Sequence, residues 1–94
     1  MRISDPQNYK FVKFVKSHLT TKKYDAILKN KKTGQEKKVP FGDKRYEQFK
    51  DKALGIYKSK DHGDLKRRES YRRRHKNEDK HTYSSGYFAY KYLW

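Results

Sequence analysis

Apolar side chains are so scarce in this chain that they limit it to one small core. Of its 94 residues, 32% are hydrophobic and 39% are charged, and a chain this short buries a smaller share of its surface than a larger domain does. Disulfides cannot make up the shortfall, because there is no cysteine. The same absence removes thiolate metal sites and a cysteine nucleophile, and it fits a reducing compartment. Rings are what the composition supplies instead. Nine Tyr, five Phe and one Trp make 16% aromatic residues, too many contact-forming side chains for a plain disordered basic tail. The expectation is a single small α+β domain over residues 1–94 whose order depends in part on what it touches.

Charge points to the nature of that partner. Lys and Arg number 26 against 11 Asp and Glu, a formal +15, which calls for nucleic acid, an acidic protein surface or a lipid headgroup layer. No apolar run approaches bilayer-spanning length, and the opening MRISDPQNYK lacks the apolar centre of a secretory signal. The chain therefore reads as soluble, with peripheral membrane contact as the only lipid option.

Four segments follow from local pattern. Residues 1–21 read as an amphipathic helix, because Asp5 precedes Pro6 and Tyr9, Phe11, Val12, Phe14, Val15 and Leu19 are spaced closer to helical than to alternating. An extended arm is the alternative, since Phe and Val favour strands. Residues 22–42 read as a β-hairpin, strands 23–30 and 35–41 joined through KKTG, with Tyr24, Ala26 and Leu28 on one face and Asp25 and Ile27 on the other. Pro40 is expected to end it. Residues 43–80 read as a basic helical region. In it Asp43 caps a short helix carrying Tyr46 and Phe49, a glycine-punctuated loop follows, and Asp64 caps LKRRESYRRRHK. Residues 81–94 are an aromatic tail, with Ser84 or Ser85 capping a last short helix. The expected architecture is thus one two-stranded hairpin with three or four short helices.

Two stretches carry the candidate site. LKRRESYRRRHK holds seven Arg and Lys in twelve positions, a helix nearly polar all round that its own apolar surface cannot hold in place. Leu65, Arg68, Tyr71, Arg72 and His75 share one stripe, and Asp64–Arg68 and Glu69–Arg73 are the available salt pairs. The planar fork of Arg suits phosphate and carboxylate, so Arg67, Arg68, Arg72, Arg73 and Arg74 are the candidate anion contacts. Lys22, Lys23, Lys31, Lys32, Lys37 and Lys38 form a secondary basic rim around the hairpin. The tail crowds six rings between Tyr83 and Trp94. It is the main core, a plug for a partner's pocket or, third, a platform for single-stranded bases, and Tyr87, Phe88, Tyr90, Tyr92 and Trp94 are the candidate partner anchors.

Nothing in the chain assembles a catalytic constellation. His18, His62, His75 and His81 have neither H-E-x-x-H nor H-x-H spacing, and HKNEDKH and GIY match only fragments of nuclease motifs. The expectation is a non-enzymatic protein with no cofactor, no metal and no small-molecule substrate.

The order KKYDAIL, VPFGDKRYEQFKDK, DHGDLKRRESYRRRH, YSSGYFAYKYLW resembles a family of small basic proteins encoded by giant DNA viruses of the mimivirus and phycodnavirus kind. The likeness spans roughly residues 22–94, and the family has no assigned activity. It implies a virion product, made in the host cytoplasm or viral factory, with other virion proteins and DNA or RNA as partners. On that basis the first expectation is a minor capsid or cement protein bridging acidic surfaces. The alternative is a sequence-nonspecific DNA- or RNA-binding protein that contacts phosphates.

Overall fold

The computed structural model describes residues 3–94. Three strands, β1 (Tyr9–Lys16), β2 (Lys22–Asn30) and β3 (Glu36–Asp43), form one antiparallel sheet with β2 in the middle. Two helices follow, α1 (Leu65–Arg74) and α2 (Ser85–Tyr92), with 3-10 turns at Pro6–Asn8, Lys58–Lys60 and Glu78–Lys80. The α+β chain therefore has a three-stranded sheet and two helices, not a two-stranded hairpin with three or four helices.

The N-terminal helix is the first correction; residues 1 and 2 of that segment lie outside the described residues. Asp5 and Pro6 open only a 3-10 turn, after which the chain extends and pairs with β2 from Tyr9↔Asn30 to Lys16↔Tyr24. A bulge explains why the spacing looked helical. Phe11 faces Leu28 and Phe14 faces Ala26, so three steps on β1 match two on β2, and two rings three residues apart fall on one sheet face. Their centroids are 4.7 Å apart.

The hairpin itself is present, but β3 does not stop at Pro40. It is an edge strand, where a missing amide costs no ladder bond on its open side, and the pairing runs through Asp25↔Pro40 and Tyr24↔Phe41 to Lys22↔Asp43. Gly42 sits at φ +78°, and a Cβ there would come within 2.8 Å of Leu93 Cδ1, so the strand end and the tail meet where only glycine fits.

No helix forms after Asp43. Its carboxylate accepts the Arg45 amide and pairs with the Arg45 guanidinium, which turns the chain, and residues 44–64 run irregularly over one end of the sheet. Buried side chains replace the missing ladder there. Gln48 donates to the Tyr57 and Asp61 oxygens, and Asp61 accepts the Asp51 amide. Asp51 takes the Tyr24 hydroxyl and the amides of Ala53 and Tyr57. Tyr46 is 63% exposed rather than sharing a packing face with Phe49.

Both helices start at their expected caps. Asp64 accepts from the amides of Lys66 and Arg67, and Ser84 from that of Tyr87. The core lies between the sheet and α2: Tyr24, Ala26, Leu28, Val39 and Phe41 from the strands meet Ile3, Phe88 and Leu93.

On the other sheet face, fully buried Asp25 fastens the β1–β2 turn by accepting from the Ser17 hydroxyl at 2.7 Å and the His18 amide at 3.1 Å, while also touching His18 Nδ1. Burial pushes its carboxyl up, but the bonds from His18 and Ser17 outweigh that and hold it below the usual range. A folded-state pKa below the unfolded value of about 3.9 stabilises the fold above that pH, and the contribution is lost as pH falls through the folded value. Asp25→Asn is therefore expected to lower Tm at pH 7 by an amount that closes below about pH 4. Calorimetry from pH 7 to 2 measures this; a deficit constant across the range would contradict it.

Candidate polyanion-binding surface

The arginine-rich helix is docked along one stripe and open along the other. Tyr71 stacks on Trp94 at 4.3 Å and 5°, and His75 covers its second face at 4.3 Å. Burial, then the Glu78 carboxylate, pushes the Tyr71 phenol up to about 12. Arg68 lies over Phe49 at 4.9 Å and Arg72 over Tyr90 at 4.6 Å. Both donate to the main-chain oxygen of Trp94, Arg68 Nε at 2.7 Å and Arg72 Nη2 at 3.1 Å. Two of the five candidate arginines, Arg68 and Arg72, thus hold α1 in place.

Arg67, Arg73 and Arg74 point away with Lys66, all four exposed. Arg67 pairs with Glu47 and Arg73 with Glu69, each at 3.1 Å. Exposed pairs are worth about 0.2–1 kcal/mol, and an i,i+4 pair such as Glu69–Arg73 about 0.3–0.5, so neither holds its arginine firmly. Lys66 and Arg74 have no ion-pair partner among the described residues. The local field is positive enough to register on a neighbour: after burial, Arg68 and Arg72 are the next causes that push the Lys52 amine below its ordinary value.

The lysine rim divides. Lys31 and Lys32 are exposed in the β2–β3 turn and Lys38 on β3, while Lys22 and Lys37 are half-buried, Lys37 lying 5.4 Å from the Tyr9 ring centroid. Lys23 is removed from the surface altogether. It is 2% exposed and donates to the Tyr46 carbonyl and Gln48 Oε1. Burial, then Lys60, lowers its pKa. Sequence reading missed that pairing lines up Lys10 with Lys29 and Glu36, and Lys13 with Ile27 and Lys38, which gives the sheet face opposite the core four lysines against one glutamate in those two rows. The signal was there only once β1 was known to be a strand.

Of the candidate anchors in the aromatic tail, Phe88 is buried and Tyr87, Tyr90, Tyr92 and Trp94 are half-buried. Phe88 is 1% exposed in the core. Tyr92 packs edge-on to Phe14 at 4.8 Å, Tyr87 packs against Phe88 at 5.2 Å, Tyr90 lies under Arg72, and Trp94 is stacked on Tyr71. Tyr87, Phe88, Tyr92 and Trp94 thereby join Ile3, Ala53 and Tyr57 in covering the core face of the sheet.

Between α1, the first turn of α2, the ends of β2 and β3 and the turn after β3 lies a cleft of about 940 Å³. Ser17, His18 and Asp25 together have the composition of a triad but not its order. Ser17 donates to Asp25 rather than to His18, so the imidazole does not stand between hydroxyl and carboxylate as a triad requires. Among the described residues no group of His, Asp and Glu is placed to hold a metal ion, and no helix is long and apolar enough to cross a membrane.

Comparison with protein-family models, with curated proteins and with solved structures finds no match.

Proposed function

We propose that this chain is a non-catalytic, sequence-indifferent nucleic-acid-binding protein that works through phosphate contacts, in the genome-bearing compartment of a large DNA virus. The observation that carries this reading is the division of α1. Arg68, Tyr71 and Arg72 are consumed in docking, which fixes the helix as a rigid ridge and leaves Lys66, Arg67, Arg73 and Arg74 facing outward. Four cations on one rigid ridge suit a run of phosphates, and contacts to the backbone alone read no sequence. The viral setting rests on the resemblance of VPFGDKRY, RRESYRRRH and YLW.

A role as minor capsid or cement protein is the second reading. Its support is no longer the tail but Leu54, Ile56 and Leu65, which are 51%, 51% and 67% exposed and suit contact with another protein.

The test of the first reading is salt dependence. Replacing Arg67, Arg73 and Arg74 together by Gln is expected to flatten the slope of log K against log salt for a duplex by about 2.7, since each neutralised phosphate contributes about 0.9. The fold is retained because none of the three enters the core. A slope unchanged from the wild type would overturn the assignment of this face.

A further inference from the structure

We infer that the cleft beside α1 takes a single-stranded stretch of nucleic acid with one base laid on the ring of Tyr46, an inference that rests on the nucleic-acid reading above and narrows its substrate. Size argues first. At about 940 Å³ the cleft is at the upper end of pockets that enclose a small molecule, roughly 300–1,000 Å³. That is room for a nucleotide or two and not for a duplex, which is left to the outward ridge.

Charge argues second. Lys22 lines the cleft, and Lys66, Arg67 and Arg74 form its rim where the α1 ridge borders it. The two carboxylates that also line it are already engaged, Asp43 by Arg45 at 2.9 Å and Glu47 by Arg67 at 3.1 Å. What remains for a ligand is net positive.

The third argument is the ring. Tyr71 and Trp94 border the same space, but Tyr71 is covered on both faces by Trp94 and His75 and cannot accept a base. Tyr46 can. It is 63% exposed, and the Arg45 guanidinium, 5.3 Å from its centroid, takes one face and leaves the other open. Its backbone is nonetheless held firmly: the Tyr46 carbonyl accepts from the buried Lys23 ammonium at 2.8 Å, and its amide donates to Asp43 at 3.3 Å. A fixed main chain with an uncovered ring beside free cations is the arrangement by which single strands are bound without regard to sequence, because every base has a face to stack.

The experiment uses fluorescence anisotropy with labelled oligo-dT and oligo-U twelve-mers and a twelve-base-pair duplex over a series of salt concentrations, comparing wild type with Tyr46→Leu at each. Leu keeps the bulk and the backbone bonds but removes the aromatic face. Tyr46→Leu is expected to weaken both single strands about ten-fold while the duplex, bound on the ridge, shifts less than two-fold. Emission from Trp94, the one Trp of the chain, is expected to change on adding oligo-dT and not on adding duplex. A loss confined to one sugar type supports the cleft and identifies its strand. Salt-dependent binding of all three probes with no single-strand loss in the variant, or an equal loss on duplex, overturns the inference and leaves the broader reading standing. Absence of salt-dependent binding by the wild type overturns both.

Discussion

Phe88→Ala is expected to unfold the chain, or to leave it balanced between folded and unfolded at 25 °C. The ring is 1% exposed. It stacks on Phe41 at 5.5 Å, meets Phe14 edge-on at 5.9 Å and lies parallel to Tyr83 at 5.9 Å. Truncating a buried Phe costs about 3–5 kcal/mol in lost transfer energy and cavity. Domains as a class have about 5–15 kcal/mol in hand, and a chain with so small a core sits toward the lower figure. Urea unfolding followed by circular dichroism measures the loss, with Phe88→Leu as the companion that keeps most of the volume and is expected to remain folded. If Phe88→Ala lost less than about 1 kcal/mol, well under the range for a buried ring, α2 would not be closing the core, and the tail would again be available to a partner.

The second large effect is expected from Asp51→Ala. One buried carboxylate accepts from the Tyr24 hydroxyl and the amides of Ala53 and Tyr57. Removing it strands three donors, each at about 1–3 kcal/mol if left unsatisfied. Water entering the edge of the site relieves part of this, so the expected loss is about 3 kcal/mol or more. The variant also has a spectroscopic signature. Burial, then the bond to Asp51, raises the Tyr24 phenol, so its ionisation is expected to move back toward the ordinary tyrosine range. Amide exchange is expected to accelerate at Ile56, whose N–H is held by the Tyr24 hydroxyl at 2.9 Å, and at Tyr57. Unchanged protection at both amides would mean that residues 44–64 are ordered by something other than this carboxylate.

What could be read from the sequence was what is decided within a few residues. Asp64 and Ser84 cap their helices because a cap is a bond to an amide two or three positions on. The stripe of Arg68, Tyr71 and Arg72 was legible from helical geometry, but what it grips was not, since Trp94 is more than twenty residues away. β1 was misjudged because a bulge shifts the period of two, so that Phe11 and Phe14 imitate a helical face. The helix expected after Asp43 failed because Gln48, Asp51 and Asp61 are worth more turned inward as a network, a property of three positions jointly. Lys23 illustrates the limit for site prediction. Its place among other lysines reads as surface, and only the turn that brings Tyr46 and Gln48 over it makes it a buried tether. The cationic stripe on α1 was half legible for the same reason: Arg67, Arg73 and Arg74 are exposed as charge alone suggests, whereas Arg68 and Arg72 obey packing.

Because β1 and β3 are both outer strands, the sheet ends in two borders that another copy could extend, although on β3 the Pro40 carbonyl already accepts from the Ser85 hydroxyl. Lys10, Lys13 and Lys16 on one border and Lys37 and Lys38 on the other make that approach electrostatically unfavourable, and the bulge bends the first border out of register. Copies of this chain are therefore expected to repel one another along both borders, the more strongly the lower the ionic strength.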